Sequence, residues 1–280
     1  MYKIQKIKPS DYQGLVFNLE VETDNSYLTE FLTIHNCKPS ASKDVYFDRE
    51  SVDKQIAKQP IDEIAGLKIF KKYDPSHRIG SGHDVAAGVG FDSSTSVFMD
   101  FDQYPIQVIA TYKNNEIKPD AFAYEIARQA KRFGENYVAV EKNYGSTVDI
   151  LKTIYPTSKI HKTERSEQRI IYQMPLEYGF EMNNATKPMI MTALSQAIEN
   201  GLIELNDSDL IAEVRGYTTG DLMDREVDPR LTTRHWDLLM ACAIAYHLNR
   251  FIKKVEAPER NNNDLNLRMS GQTKTINPAR

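Results

Sequence analysis

Three carboxylates in apolar surroundings are the residues of this chain best suited to chemistry. Asp84 lies in the string GHDVAAG, Glu141 follows the apolar run YVAV, and Asp237 begins the apolar segment DLLMACAIA. A carboxylate among apolar residues costs free energy unless it is paired or binds a cation. Hard cations such as Mg²⁺ and Mn²⁺ prefer such oxygen ligands. Three acids from separate segments can converge on two divalent cations, roughly 3.5 to 4 Å apart, that activate water and stabilise the leaving oxygen of a phosphodiester.

Each acid also has a simpler structural explanation. An acid at the end of a strand is a common turn former, and an acid at the start of a helix is a common cap. Position alone favours this structural role for each of the three residues.

The segments that carry the acids follow an α/β pattern. Residues 79 to 113 contain three strand signals, IGSGHDVAAG, STSVFMDFD and PIQVIATYK, which predict an antiparallel meander. A helix from Pro119, the strand NYVAVE, a helix at 146 to 154 and the strand SKIHKT follow, and then the helices KPMIMTALSQAIENG and HWDLLMACAIAYHLNRFIKK. This order predicts a mixed sheet flanked by helices. Glu141 would then lie at the C-terminal end of a strand, which is where ligands bind in open α/β sheets. Asp237 would lie in the first turn of a helix, where a negative charge is favourable.

The composition is that of a soluble globular protein. The 280 residues are 41% hydrophobic and 26% charged, enough for one large core and a smaller module. The longest apolar stretch is too short to span a bilayer and the first residues lack a secretory signal, so neither a membrane partner nor export is expected. Cys37 and Cys242 give neither a disulfide framework nor a zinc spacing, which fits a reducing cytoplasm. A net charge of −4 argues against a protein that coats nucleic acid through an overall positive charge. It still allows a nuclease whose phosphate contacts come from a local basic patch beside clustered acids.

Four strings resemble the successive motifs of the nuclease domain of phage large terminases over residues 45 to 253: IGSGHDVAAGVGFDSSTSVFMDF, YVAVEKNYGSTVDILKTIYP, EYGFEMNNATKPMIMTAL and TTRHWDLLMACAIAYH. The family pattern is an Asp-x-Ala-x-Gly-x-Gly-x-Asp strand and turn, a Glu-x-Asn strand end and a His-x-Asp helix start. The resemblance implies an RNase H-like fold of the RuvC type and an endonuclease that cuts concatemeric viral DNA with Mg²⁺ or Mn²⁺. It implies Asp84, Glu141 and Asp237 as the metal-binding acids, and double-stranded DNA, the portal and the small terminase subunit as partners.

The polar residues beside these motifs have two explanations each. Asp92, the second acid of the first motif, is either an accessory metal ligand or the cap of the turn GVGFDSS. His235 either orients Asp237 or the attacking water, or is structural. Five further residues are either contacts of the DNA backbone or ordinary solvated surface: Lys142, Asn143, Arg165, Arg169 and Lys187.

The sequence does not support ATP binding by this chain. No GxxxxGK[ST] string occurs in it, so the ATPase motor of a large terminase is expected on another polypeptide. Gly88 and Gly90 are followed by no Lys-Ser or Lys-Thr and predict a tight connection between two strands instead of a phosphate cradle.

The first 36 residues predict short strands joined by turns, a segment too small to fold alone. The string LVFNLEVETDNSYLTEFLTIHNC resembles the C-terminal end of an intein. The resemblance implies that Asn36 cyclises onto its own carbonyl, that His35 assists, and that Cys37 supplies a thiol nucleophile. Asn25 and Asn18 stand where such segments commonly have His and Asp, a departure that concerns the auxiliary proton-transfer groups. We hypothesise a split intein whose other half is fused to the ATPase domain on a partner chain.

These patterns predict four regions: an intein C-terminal fragment at 1–36, a connector at 37–77, the nuclease domain at 78–256 and a disordered tail at 257–280. The expected setting is the cytoplasm of a phage-infected bacterium. The alternatives are another RNase H-like nuclease, such as a junction resolvase or a transposase, and a non-catalytic assembly module whose acids are structural.

Overall fold

The computed structural model describes residues 26–28, 33–35, 45–90, 92–163, 176–223 and 235–252. The chain divides into two units, Met1–Asp44 and Val45–Arg280. In the first unit, the described backbone forms two antiparallel strands, β1 (Ser26–Leu28) and β2 (Thr33–His35). Short strands are what the sequence predicts here. Asn36 and Cys37 lie outside the described residues, so the intein interpretation stays a prediction.

The second unit is organised around a seven-stranded sheet with the order β3-β4-β7-β6-β5-β8, and with β9 paired to β7. Its strands are β3 (Asp62–Ile64), β4 (Leu67–Ile69), β5 (Ile79–Asp84), β6 (Ser94–Asp100), β7 (Ile106–Asn114), β8 (Tyr137–Val140) and β9 (Ile203–Glu204). The predicted antiparallel meander is confirmed in β5, β6 and β7. β8 pairs in parallel with β5, which makes the sheet mixed. Parallel strands need a long crossover connection, which is usually helical.

Helices cover both faces of this sheet. They are α1 (Arg49–Asp53), α2 (Pro119–Arg132), α3 (Gly145–Ile154), α4 (Thr186–Glu199), α5 (Ser208–Gly216), α6 (Thr219–Leu222) and α7 (Asp237–His247). Successive strand residues point to opposite faces. Val97 and Met99 of β6 belong to the core that contains α4, α5 and α7, whereas Phe98 belongs to the core that contains α2 and α3. The predicted α/β fold, a mixed sheet flanked by helices, is therefore confirmed.

Helix α7 packs directly on the backbone of β5. A Cβ atom added to Gly82 would lie 2.2 Å from the Ala241 carbonyl oxygen and 2.4 Å from the Ala245 amide nitrogen. Glycine in the strand and alanine in the helix are what allow the two backbones to approach this closely. The first turn of the helix consequently lies beside the C-terminal end of the strand.

Residues 45–77 lie in the segment predicted to be a connector, and in the structure they belong to the second unit. β3 and β4 form a hairpin through Ala65 and Gly66, whose φ angles of 50° and 79° suit a two-residue turn, and β4 pairs with β7. Phe47 and Val52 are buried in the core that contains α7. Strands of three residues show too short an alternation to be recognised, and for this reason the segment gives no strand signal in the sequence.

Two further elements are short. Asp48 caps α1 by accepting the Ser51 amide N–H at 2.8 Å, and this helix spans five residues. The predicted strand SKIHKT is a 3-10 turn, Thr157–Lys159, followed by single bridges at Ile160 and Lys162. The predicted tail lies outside the described residues, and among the helices described none has the length and apolar character to cross a membrane.

Candidate metal centre

The three acids singled out in the sequence meet at one edge of the sheet. Asp84 ends β5 and Glu141 follows β8, and the parallel pairing of these strands sets the two side by side, with the Glu141 amide donating to the His83 carbonyl at 2.9 Å. Asp237 is the first residue of α7, and its carbonyl accepts a hydrogen bond from Thr95 Oγ1 at 2.8 Å. Thr95 lies opposite Asp84 in the sheet, so this bond brings the helix to the same place. All three acids line one cleft of about 610 Å³.

The electrostatics of this cleft favour a cation. Glu141 and Asp237 are buried and Asp84 is partly buried. Removal from water raises the pKa of Asp84 well above the usual carboxyl range, and a hydrogen bond with Glu141 and the charges of Glu141 and Asp237 raise it further. Burial also raises the pKa of Asp237, against the effect of the Ser93 N–H, which donates to its Oδ2 at 2.9 Å. Two carboxyl groups in contact, as those of Asp84 and Glu141 are, are stable together as anions only beside a compensating positive charge. Asp237 adds a third oxygen donor to the cleft, so the donor set fits Mg²⁺ or Mn²⁺.

A second group of ligand atoms shares Asp237 with the first. The ligand atoms of Asp92, His235 and Asp237 all lie within 4.8 Å of one another. His235 Nδ1 lies 2.7 Å from Asp92 Oδ1 and donates to it, and Asp92 lines the same cleft. The structure thus brings both Asp92 and His235 to the acids. An imidazole donor suits transition-metal ions better than Mg²⁺, which prefers oxygen.

The candidate contacts of the DNA backbone fall in different places. Asn143 and Lys187 line the cleft of the acids, and the Lys187 ammonium donates to the Asp221 carbonyl at 3.1 Å. The Lys142 side chain forms an ion pair with Glu177. Two candidates lie outside the described residues: Arg165 and Arg169. Two of the five residues are therefore placed beside the acids.

Sequence patterns did not single out Glu213 and Lys113, which support the start of α7. Glu213 is buried in α5, and its carboxylate accepts the Leu239 N–H at 2.9 Å and the Lys113 ammonium at 2.8 Å. The one hint in the sequence is an acid within the mainly apolar helical string LIAEVRG. Its cationic partner lies 100 residues earlier, so no local spacing connects the two.

Comparison with known proteins agrees with this architecture. A sequence model of the family described as Terminase RNaseH-like domain matches residues 81–249. The large terminase nuclease of thermophilic phage G20c is similar in structure, with a TM-score of 0.52 at 16% identity over 73% of this chain and 98% of that one. The same nuclease with bound magnesium gives a TM-score of 0.51 at 16% identity, over 74% and 98% of the two chains. The Thermus phage P74-26 large terminase nuclease domain gives 0.50 at 17% identity, over 71% and 93%.

At these identities the structural similarity shows the fold. No curated protein sequence matches the chain.

Proposed function

Since the chain belongs to the terminase RNaseH-like domain family, we propose that it carries the nuclease of a viral large terminase and cuts concatemeric DNA during genome packaging. The observation that carries the proposal is the meeting of Asp84, Glu141 and Asp237 in one cleft. Two strand ends and a helix start supply these acids, and together they form an oxygen donor set suited to divalent cations. The G20c nuclease, which has the same fold, has been solved with bound magnesium.

We assign two cation positions that share the Asp237 carboxylate. Asp84, Glu141 and Asp237 would hold one Mg²⁺ or Mn²⁺, and Asp92, His235 and Asp237 the other. When bound, the cations supply Lewis acidity for hydrolysis of the phosphodiester. A cation held by both side chains would replace the hydrogen bond that joins His235 Nδ1 to Asp92 Oδ1.

Two other residues that line the cleft offer contacts to the substrate. The Asn143 side chain can hydrogen-bond a phosphate of double-stranded DNA, and Lys187 brings a positive charge to the same cleft. Such contacts to the backbone position DNA without regard to its sequence. The four residues that flank the acids in this proposal therefore divide into two that hold cations and two that hold the backbone.

A plasmid assay tests the proposed nuclease. The wild-type protein should cleave supercoiled plasmid with Mn²⁺, and E141A should abolish cleavage while the protein stays folded, because a ligand of the cation is lost. E204A is a matched control, since Glu204 pairs with Lys58 and does not line the cleft. Cleavage by E141A at the wild-type rate would contradict the assignment.

The alternatives have distinct outcomes. Preference for a four-way junction over plasmid would favour a junction resolvase. Absence of saturable Mn²⁺ binding in a calorimetric titration would favour an assembly module whose acids are structural.

We also propose that this chain is joined to an ATPase-bearing partner by trans-splicing at Cys37. Support comes from His35, Asn36 and Cys37 in succession and from the strand pair that ends at His35. Co-expression with a partner that carries the N-terminal half of the intein should give a ligated product lacking residues 1–36. Ligation by N36A would contradict this, because cyclisation of that side chain releases the intein.

The proposed setting follows from these two functions. The protein would act on double-stranded viral DNA in the cytoplasm of a phage-infected bacterium, with the portal and the small terminase subunit as further partners. We propose that the nuclease begins at Val45, where the second unit begins, instead of at the residue 78 expected from the sequence.

A further inference from the structure

Among the residues that the structure describes, none that adjoins the start of helix α7 caps it with a side chain. Trp236 occupies the N-cap position, and its side chain makes no capping hydrogen bond. The N–H groups of a first helical turn need partners from outside the helix. Glu213 Oε2 accepts the Leu239 N–H at 2.9 Å, at the third helical position, where an N-cap side chain commonly bonds. α5 therefore caps α7 from outside.

Lys113 makes this buried cap electrically neutral. Glu213 is 8% exposed, and its Oε1 accepts a hydrogen bond from Lys113 Nζ at 2.8 Å. Burial raises the pKa of Glu213, and the Lys113 ammonium and the Leu239 N–H act against that rise. A buried carboxylate without such partners would be costly. The ion pair thus allows an anion to lie at the positive end of α7 without adding net charge beside the acid cluster.

Asp237 itself is held at two further points. Thr95 Oγ1 donates to its carbonyl at 2.8 Å, and the Ser93 N–H donates to its Oδ2 at 2.9 Å. We propose that Glu213 and Thr95 are positioning residues that fix the first turn of α7 and so preorganise the Asp237 carboxylate for a divalent cation, a role that rests on the proposed nuclease function. Partners that orient metal ligands typically change metal affinity about 10- to 100-fold.

Calorimetric titration of the full chain with Mn²⁺ tests this role. E213A removes the acceptor, and T95V removes the hydroxyl while keeping a branched side chain of similar shape. Each variant is expected to raise the Kd for Mn²⁺ about tenfold or more, and saturating Mn²⁺ should restore most of the plasmid cleavage rate. E213Q/K113M removes both charges, leaves the net charge unchanged and keeps an oxygen acceptor for the Leu239 N–H. Its Kd should therefore stay close to that of the wild type.

D102A is the matched control. Asp102 likewise accepts a backbone N–H, that of Arg78 at 2.8 Å, and pairs with the Arg78 side chain at 2.9 Å. It lies at the far end of β5 from the acids, because Arg78 directly precedes that strand. Its loss is expected to lower stability and to leave the Kd for Mn²⁺ unchanged.

The possible outcomes separate the role of the cap from that of the charge. A folded E213A or T95V protein with the wild-type Kd overturns the proposed role. An E213Q/K113M protein that loses as much affinity as E213A also overturns it, because the charge and not the cap would then matter. If circular dichroism shows that E213A is unfolded, the Kd of T95V decides. A wild-type chain without saturable Mn²⁺ binding overturns the cation site itself, and this role with it.

Discussion

Replacement of Gly82 by alanine is expected to push α7, which carries Asp237, away from β5, which carries Asp84. The added Cβ would lie 2.2 Å from the Ala241 carbonyl oxygen, about 1.2 Å closer than the 3.4 Å at which ordinary contact begins. The nearest atoms belong to the backbone of α7, so rotation of a side chain cannot relieve the clash, and the helix must move by about 1 Å. Asp237 is the first residue of that helix. A displacement of about 1 Å in a catalytic site can lower the rate about 100-fold.

We therefore expect G82A to lower the free energy of unfolding by about 1–3 kcal/mol and to slow plasmid cleavage about 100-fold. Urea unfolding followed by circular dichroism and the plasmid assay with Mn²⁺ measure the two effects. G80A is the matched control, because Gly80 lies on the same face of β5 and the atoms nearest to its added Cβ would be side-chain atoms of Phe101 and Ile252, at 2.7 Å and 2.9 Å. Those side chains can turn away, so G80A should cleave near the wild-type rate. A folded G82A protein with wild-type cleavage, or equal losses of cleavage in both variants, would refute the reasoning.

Three other perturbations separate the roles of the metal ligands, the cleft wall and the core. H235N should weaken Co²⁺ binding more than Mg²⁺ binding, because an imidazole donor favours the transition-metal ion; calorimetry with each ion measures this, and equal losses would exclude a nitrogen ligand. N143A should weaken DNA binding in a filter assay and leave the Kd for Mn²⁺ unchanged, since Asn143 lines the cleft but is not among the acids; a loss of Mn²⁺ affinity would contradict it. Burial lowers the pKa of His83 to about 3 and that of His161 to about 4, so the unfolded chain binds protons that the folded chain does not. Stability should be fully present above about pH 6.5 and fall as the pH drops toward these values, by up to about 1.4 kcal/mol per pH unit for each histidine. Urea unfolding of H161Q should show a shallower fall between pH 7 and pH 5, and a slope equal to that of the wild type would contradict this.

The sequence could predict the meander and its acids because both depend on local pattern. Strands of six to nine residues show a clear alternation, and Asp84 stands at the end of one of them. Asp237 is recognisable because an apolar helical string follows it directly. The hairpin β3-β4 and the contact of Glu213 with Leu239 could not be predicted. The first is too short to show a period, and the second joins two helices across 26 residues with no shared periodicity.

The ion pair of Lys113 with Glu213 depends on one irregularity of the sheet that no sequence pattern indicates. Asp84, Thr95 and Lys113 lie opposite one another across β5, β6 and β7, and residues paired in this way point to the same face. Within β7, the register with β6 shifts by one residue at Ile109. Because side chains alternate with a period of two, a strand that kept all its residues but continued the pairing of its start would set Lys113 opposite Ser94. Lys113 would then point to the opposite face, away from Glu213. The ion pair that supports the first turn of α7 therefore requires this bulge, although the bulge lies outside the cleft and carries no polar side chain.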